Sequence, residues 1–350
     1  MRPESNIPRA TYRLQFHSDF TLRDGLAVVP YLHELGVSHV YASPLLTARK
    51  GSTHGYDVCD SSRLNPELGT EADMEALVQA LHEHGMGLVL DLVPNHMAAS
   101  PENPWWWDLL KLGMASPYAN YFDVDWFSPD PQLCGKILLP VLGDELENVL
   151  DRGELKVVCE NDEVTLRYYY HRFPASPGSL LVPEKTIEQA VAAFNAGRAA
   201  MTSLLERQHY RLAFWRHGNA QLNYRRFFNI TELAGLRVEL PQVFTDSHNR
   251  ILEWYQRGWL DGLRIDHPDG LYDPAAYLQR LRQAAPGAWI TVEKILEPGE
   301  DLPVHWPVAG TTGYDFLNRV TGLFIDPAGE RPVTDFYASF TGEPQSSLAS

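Results

Sequence analysis

Between residues 11 and 93, short apolar or β-branched runs alternate with stretches of helical period, the text of parallel strands joined by crossover helices. Residues 11–16 (TYRLQF) read as a first strand, 37–42 as a second and 87–93 (GLVLDLV) as a third. The third is apolar on both faces, as a buried parallel strand is. Two helices lie between them. Residues 21–35 carry Leu22, Leu26, Val29, Tyr31, Leu32 and Leu35 as an apolar stripe stopped by Gly36, and residues 71–84 run from Gly69-Thr70 to Gly85. The rhythm breaks after Met97. Trp105, Trp106 and Trp107 stand in a row, residues 154–170 resemble a hairpin, and residues 187–228 read as long helical text. This is too long for one βα loop, so residues 97–240 are read as an inserted subdomain. From Pro241 the rhythm resumes: a helix to 257, a strand at 260–265, a helix at 274–283, a strand at 288–295, and a sixth strand within 308–316 followed by a helix. Residues 342–350 read as loop.

The pattern predicts an α/β fold, a (β/α)8 TIM barrel with its site at the C-terminal ends of the strands. Residues 1–96 form the first part of the barrel (strands one to three), 97–240 the insertion, and 241–350 the barrel resumed to about strand six. A doubly wound sheet is the alternative, but no G-x-G-x-x-G follows any strand. Strands seven and eight are not found within 350 residues, so the barrel is expected to be incomplete at its C-terminus.

Composition narrows the partners. With 29 Lys+Arg against 45 Asp+Glu the net charge is −16, which argues against a nucleic-acid backbone or an anionic membrane surface. The densest basic run, Tyr224-Arg225-Arg226, sits in what reads as an aromatic-rich helix. Three scattered cysteines without C-x-x-C, no apolar leader in residues 1–9 and no run of 18 apolar residues predict a cytoplasmic protein. Aromatic residues at 11% suit a large core, and leave room for rings that stack on sugars.

The chemistry gathers at strand ends. Asp266 and Glu293 follow adjacent parallel strands, about 4.8 Å apart, so their carboxyl groups can approach one substrate atom. Two carboxyl groups about 5 Å apart are what retaining glycosyl transfer uses, one attacking the anomeric carbon and the other protonating the leaving oxygen. Arg264 shares a strand face with Asp266, and its guanidinium is expected to keep that carboxyl ionised as nucleophile, leaving Glu293 with a raised pKa as acid/base. His54, His96 and His267 suggest either a metal site or donors to sugar hydroxyls. No H-x-H stands on the first strand, which disfavours the metal, and none is predicted. Tyr56 suits a stacking face or an ordinary core position.

Asp91-Leu-Val-Pro-Asn-His96, Gly262-Leu-Arg-Ile-Asp-His267 and Glu293 resemble, in order, the first three sequence regions of the α-amylase family of glycoside hydrolases. Within it, Ala10 to Phe16, Gly51 to Asp57, Tyr210 to Trp215, Asn223 to Phe228 and Gly310 to Phe316 are similar to the maltooligosyltrehalose synthase branch. The resemblance implies an intramolecular transglycosylase acting on maltooligosaccharides or linear α-1,4-glucan. Asp266 would be its nucleophile and Glu293 its acid/base. His54, Tyr56, Asp57, Asn95, His96, Arg264 and His267 would contact the sugar or the nucleophile. It implies no cofactor, and a product that passes to a trehalose-releasing hydrolase. Asn95 is a calcium ligand in many amylases; without partner carboxylates no calcium is expected here. The family's third carboxylate has no matching motif, since Asp315 and Asp326 fit by position only, so these 350 residues alone are expected to be inactive.

Overall fold

The computed structural model describes residues 7–161, 163–180 and 186–342, and the loop read at 343–350 lies outside them. Six strands form one sheet: β1 (Thr11–Leu14), β2 (His39–Ala42), β3 (Gly87–Leu92), β4 (Gly262–Ile265), β5 (Trp289–Val292) and β6 (Gly310–Thr311). Their order in the sheet is their order in the chain, and every pairing is parallel. A doubly wound sheet reverses direction at its switch point. This one never does, and so follows barrel topology.

The crossover helices form where the pattern places them. In α1 (Leu22–Glu34) the Asp24 carboxylate accepts the Thr21 backbone N–H at 2.8 Å. In α2 (Glu71–Glu83) Thr70 and Asp73 exchange both bonds of a capping box. Leu22, Val29 and Leu32 of α1, and Met74, Leu77, Val78 and Leu81 of α2, are buried. All six residues of β3 are buried as well, matching its unbroken apolar text. α3 (Pro241–Gln256) and α4 (Pro274–Ala284) each begin with proline at the first turn and bury a stripe. α5 (Tyr314–Gly322) and α6 (Glu330–Thr341) bury no residue.

Two stretches depart from the sequence reading. Residues 187–228 are helical only at Ile187–Ala196 and Arg198–Glu206, apart from short turns at Trp215–His217 and Gly218–Gln221. Tyr210–Phe214 is a strand lying parallel to Ile137–Leu142, Arg226–Phe227 pairs with Ile230–Gly235, and Tyr224 and Arg225 are extended rather than helical. The distant partners supply ladder bonds and burial that override the local helical period. Leu46–Ala48 and Val58–Leu64 form an antiparallel pair after β2 that the pattern did not mark. The expected hairpin is present, as Leu155–Glu160 against Glu163–Tyr168. Of the three tryptophans, Trp106 is buried edge-on against Phe122 and Tyr224. Within 97–240, Ile230–Gly235 pairs with His96–Ala98, so this stretch returns to the end of β3 before α3 begins.

Candidate active site

β3, β4 and β5 are in register with Asp91 beside Arg264 and Arg264 beside Thr291. The two carboxylates of interest lie one residue past their strands yet remain tied to the sheet. Asp266 N donates to Leu92 O and Glu293 N to Ile265 O, both at 2.9 Å. Their positions are therefore set by rigid sheet, as a preorganised site requires.

One buried guanidinium gathers the charges. Arg264 Nη1 meets Asp91 Oδ1 at 2.7 Å and Asp266 Oδ1 at 2.8 Å, while its Nη2 meets Glu293 Oε1 at 3.0 Å. Asp91, itself buried, also accepts at Oδ2 from Arg13 (2.9 Å), Tyr41 (2.8 Å) and Tyr56 (2.6 Å). Glu293 takes further bonds from the Tyr314 hydroxyl (3.3 Å) and the His267 backbone N–H (3.2 Å). Asp266 Oδ2 is buried and reached by no donor among the described residues. It is one oxygen of a carboxylate that is otherwise fixed, and Asp266 lines a cavity.

The cavity holds about 440 Å³ and is lined by Arg49, His54, Tyr56, Asp57, His96, Phe227, Ile230, Glu232, Leu233, Asp266 and Glu293. Its size suits a small ligand. Tyr56 arrives on a tight turn: Gly55 has φ +78°, and a Cβ there would lie 2.7 Å from Pro44 O, so glycine is required. The Tyr56 ring then stacks beside His54, which with Asp57 forms the rim. His96 is fully buried at the wall. Asn95 Nδ2 donates to its Nδ1 (3.3 Å), which leaves the proton on Nε2, and Nε2 has no partner of its own. Burial, with the neighbouring His267, pushes its pKa down to about 3 against the opposing pull of the Tyr56 backbone, so it is a neutral imidazole.

Electrostatics divide the carboxyl pair, but not in the expected direction. Burial raises Asp266 to about 7 against the pull of Arg264, with Asp91 and Glu293 adding to the rise. For Glu293 burial is the largest single influence and pushes upward, but Arg264 and hydrogen bonds from Asp266, His267 and Tyr314 together outweigh it, so Glu293 stays below the usual carboxylate range. Near neutral pH the pair thus shares one proton, with Asp266 raised and Glu293 lowered. The expectation that Arg264 alone keeps Asp266 ionised is corrected: that guanidinium is divided among three carboxylates.

Of the sequence-predicted residues, His54, Tyr56, Asp57, His96, Asp266 and Glu293 meet at this cavity. Arg264 stands behind its wall. His267, at φ +44°, turns its ring against Phe227 and Phe228 and offers its backbone N–H to Glu293. Asn95 does not reach the cavity; its Oδ1 accepts from Arg225 Nη1 at 2.5 Å. A guanidinium so close to that oxygen occupies the side from which a calcium ion would approach, so the residues present do not fit that ion. No group of three or more His, Cys, Asp or Glu among the described residues is arranged to hold a metal. Asp315 accepts from Thr311 Oγ1 at 2.5 Å and Asp326 caps a short turn; neither lines the cavity.

Sequence reasoning missed Arg13, which ties Asp91 to the Tyr56 hydroxyl (3.0 Å) and lies over the Tyr41 ring. A charged residue inside the first strand was the signal for it. It also missed Arg49, Phe227, Ile230, Glu232 and Leu233, the last four of which reach the wall through pairings in 226–235 that the helical reading concealed.

Residues 25–278 match the family described as Alpha amylase, catalytic domain. The chain belongs to the alpha-amylase family. Among solved members, maltooligosyltrehalose synthase from Arthrobacter ramosus is 44% identical with a TM-score of 0.83, over 96% of this chain and 41% of that one. A structure titled as a hypothetical maltooligosyl trehalose synthase of Sulfolobus tokodaii is 39% identical at TM-score 0.78, over 94% and 41%. A Mycobacterium tuberculosis protein provisionally named maltooligosyl trehalose synthase is 44% identical over 93% of this chain and 40% of its own length. The chain therefore spans about two fifths of these alpha-amylase-family relatives. Its six parallel strands are the corresponding part of a (β/α)8 barrel. Among the described residues no helix is long and apolar enough to cross a membrane.

Proposed function

We propose that the protein carrying this chain is an intramolecular transglycosylase. It would convert the reducing-end α-1,4 bond of a maltooligosaccharide into an α,α-1,1 bond. One observation carries the reading: Arg264 holds Asp266 and Glu293 together on the wall of one cavity, and Asp266 Oδ2 is left without a donor among the described residues. The similarity to proteins named maltooligosyl trehalose synthase selects this activity over hydrolysis or 4-α-glucan transfer.

In this reading Asp266 Oδ2 attacks C1 of the penultimate glucose, and Glu293 protonates the departing O4. Binding must first move the shared proton from Asp266 to Glu293. The freed glucose turns and attacks C1 through its anomeric hydroxyl, whose proton returns to Glu293. Two inversions preserve the α configuration. Water has to be excluded meanwhile, or hydrolysis wins. His96 Nε2 and Tyr56 are placed to hold the donor glucose. Arg264 orients both carboxylates, while Asn95 and His267 support their neighbours.

We also read residues 97–240 as a subdomain that builds one cavity wall. The protein is placed in the cytoplasm, in keeping with three cysteines that form no disulfide. The α,α-1,1 product would pass to a trehalose-releasing hydrolase. Counting reducing ends during incubation of the complete protein with maltopentaose tests the activity. Their loss is expected. A gain would mean hydrolysis, and a constant number 4-α transfer. Asp266→Asn and Glu293→Gln should each cut turnover by about 10⁴-fold, and these 350 residues alone should give none.

A further inference from the structure

We propose that Arg13 and Gln15 are positioning residues for the reaction: from the first strand they clamp the turn at residues 51–57 as a cavity wall, so that the enclosed glucose, and not water, attacks the intermediate. The inference rests on the transglycosylase reading above, in which exclusion of water decides the product.

The turn supplies one side of the cavity through His54, Tyr56 and Asp57. Within itself it is closed by Ser52, whose hydroxyl donates to Asp57 Oδ1 at 2.5 Å and accepts from Gly55 N at 3.1 Å. Two carboxylates anchor its start: Glu102 accepts from Lys50 N (2.7 Å) and Glu67 from Gly51 N (2.9 Å). Neither of these bonds reaches residues 53–56, where the turn enters the cavity wall.

Those residues are tied to the barrel. Gln15 Nε2 donates to Thr53 O at 3.1 Å and to His54 O at 3.2 Å. Arg13 Nη2 donates to the Tyr56 hydroxyl at 3.0 Å, which donates onward to Asp91 Oδ2 at 2.6 Å, and the Tyr56 backbone acts on His96. Arg13 and Gln15 are two residues apart, the spacing that shares one face of an extended strand. Each fixes the other, since Gln15 Oε1 accepts from Arg13 Nη2 (3.0 Å) and Nε (3.3 Å). An amide whose oxygen faces a guanidinium turns its NH2 away, here onto the two carbonyls. Arg13 is held in turn by Asp91 at 2.9 Å from Nη1 and by the Tyr41 ring, 4.6 Å from Cζ. On the other side Gly55 leaves no slack against Pro44 O. A turn is mobile where a sheet is not, so the clamp lends these residues the precision of β1.

The test is a product ratio, measured on the complete protein with maltopentaose: free glucose released per α,α-1,1 bond formed. Gln15→Ala removes both carbonyl bonds without changing charge and should raise the ratio about 5-fold. Arg13→Met also frees the Tyr56 hydroxyl and should raise it about 10-fold. Arg13→Lys should fall between parent and Arg13→Met, because one ammonium replaces a planar fork. A merely structural loss lowers both products together, and an unchanged ratio would overturn the proposal even if turnover fell. A rise with Arg13→Met but not Gln15→Ala would overturn it too, since the charge beside Asp91 would then be responsible. If Arg13→Met does not fold, Gln15→Ala decides alone. Hydrogen exchange over residues 51–57 separates the clamp from the enzymatic reading. It should run about 10-fold faster in Gln15→Ala than in the parent. Equal exchange would remove the clamp and leave the transglycosylase reading standing. Faster exchange with the ratio unchanged would deny the pair any part in the reaction. Faster exchange in a protein whose parent forms no α,α-1,1 bond would sink the transglycosylase reading and keep only the clamp.

Discussion

Two regions of this chain put side chains where their chemistry is costly. Past β3, β4 and β5, Asp91, Arg264 and Asp266 are all buried, charges taken out of water. On α5 and α6 the opposite holds: Phe316, Leu317, Phe336 and Phe340 are apolar groups left in water. In the first region each charge has partners at hydrogen-bond distance, and the cost is offset within the sheet. In the second no residue of either helix is buried among the described residues. The strand-end charges thus find their partners within this chain, whereas the apolar faces of α5 and α6 meet no buried core among the described residues.

The sharpest way to break the contrast is to remove the shared cation. Arg264→Met leaves three carboxylates facing one another without their common partner, and should lower unfolding free energy by about 3–5 kcal/mol. Denaturant titration of the chain measures this. Arg264→Lys should recover only part, since one ammonium cannot replace a planar fork that serves three acceptors. A loss below about 1 kcal/mol would mean that water already solvates the cluster, and the distinction between the two regions would fail.

A smaller effect comes from pH. Asp266 titrates at about 7 in the fold against an ordinary 3.8, so its contribution to stability is complete below the lower value. That contribution is lost as pH rises through 7. Asp266→Asn removes the dependence. Between pH 5 and pH 8.5 the parent chain should therefore lose on the order of 2 kcal/mol relative to the variant. Parallel melting curves at the two pH values would show it, and two curves that shift together would place the proton elsewhere in the cluster.

These contrasts explain which residues the sequence disclosed. Asp266, Glu293 and Arg264 were legible because a parallel strand fixes the residue just past its end, and adjacent strands bring such residues together whatever the loops do. The helix opened by Gly69-Thr70 and closed by Gly85 was legible for a related reason: its signals are local. Phe227, Ile230 and Leu233 were not, because Phe227 pairs with Ile230 on a strand whose Leu233–Gly235 end pairs in turn with His96–Ala98, more than a hundred residues away. Nothing in the local period of 210–228 announces that partner. The protonation order was illegible too, since it depends on how many carboxylates share one guanidinium, a count that only the packed site supplies.

The smallest expected effect lies at the exposed helices and is the most direct test of the comparison. Phe336 and Phe340 stack on each other along one face of α6, 71% and 79% exposed, and bury little else. Replacing a buried phenylalanine costs about 3–5 kcal/mol. Phe336→Ser in this chain should instead stay within about 0.5 kcal/mol, the range of surface substitutions, because almost no apolar area is returned to water. Its backbone amides should exchange hydrogen well before those of β3, since local opening of α6 breaks few contacts. Phe122→Ser, a fully buried ring behind Trp106, provides the contrasting large loss under the same denaturant titration. If Phe336→Ser proved as costly as Phe122→Ser, α6 would have to be packed in solution against something, and its open face would join the core instead of standing opposite to it.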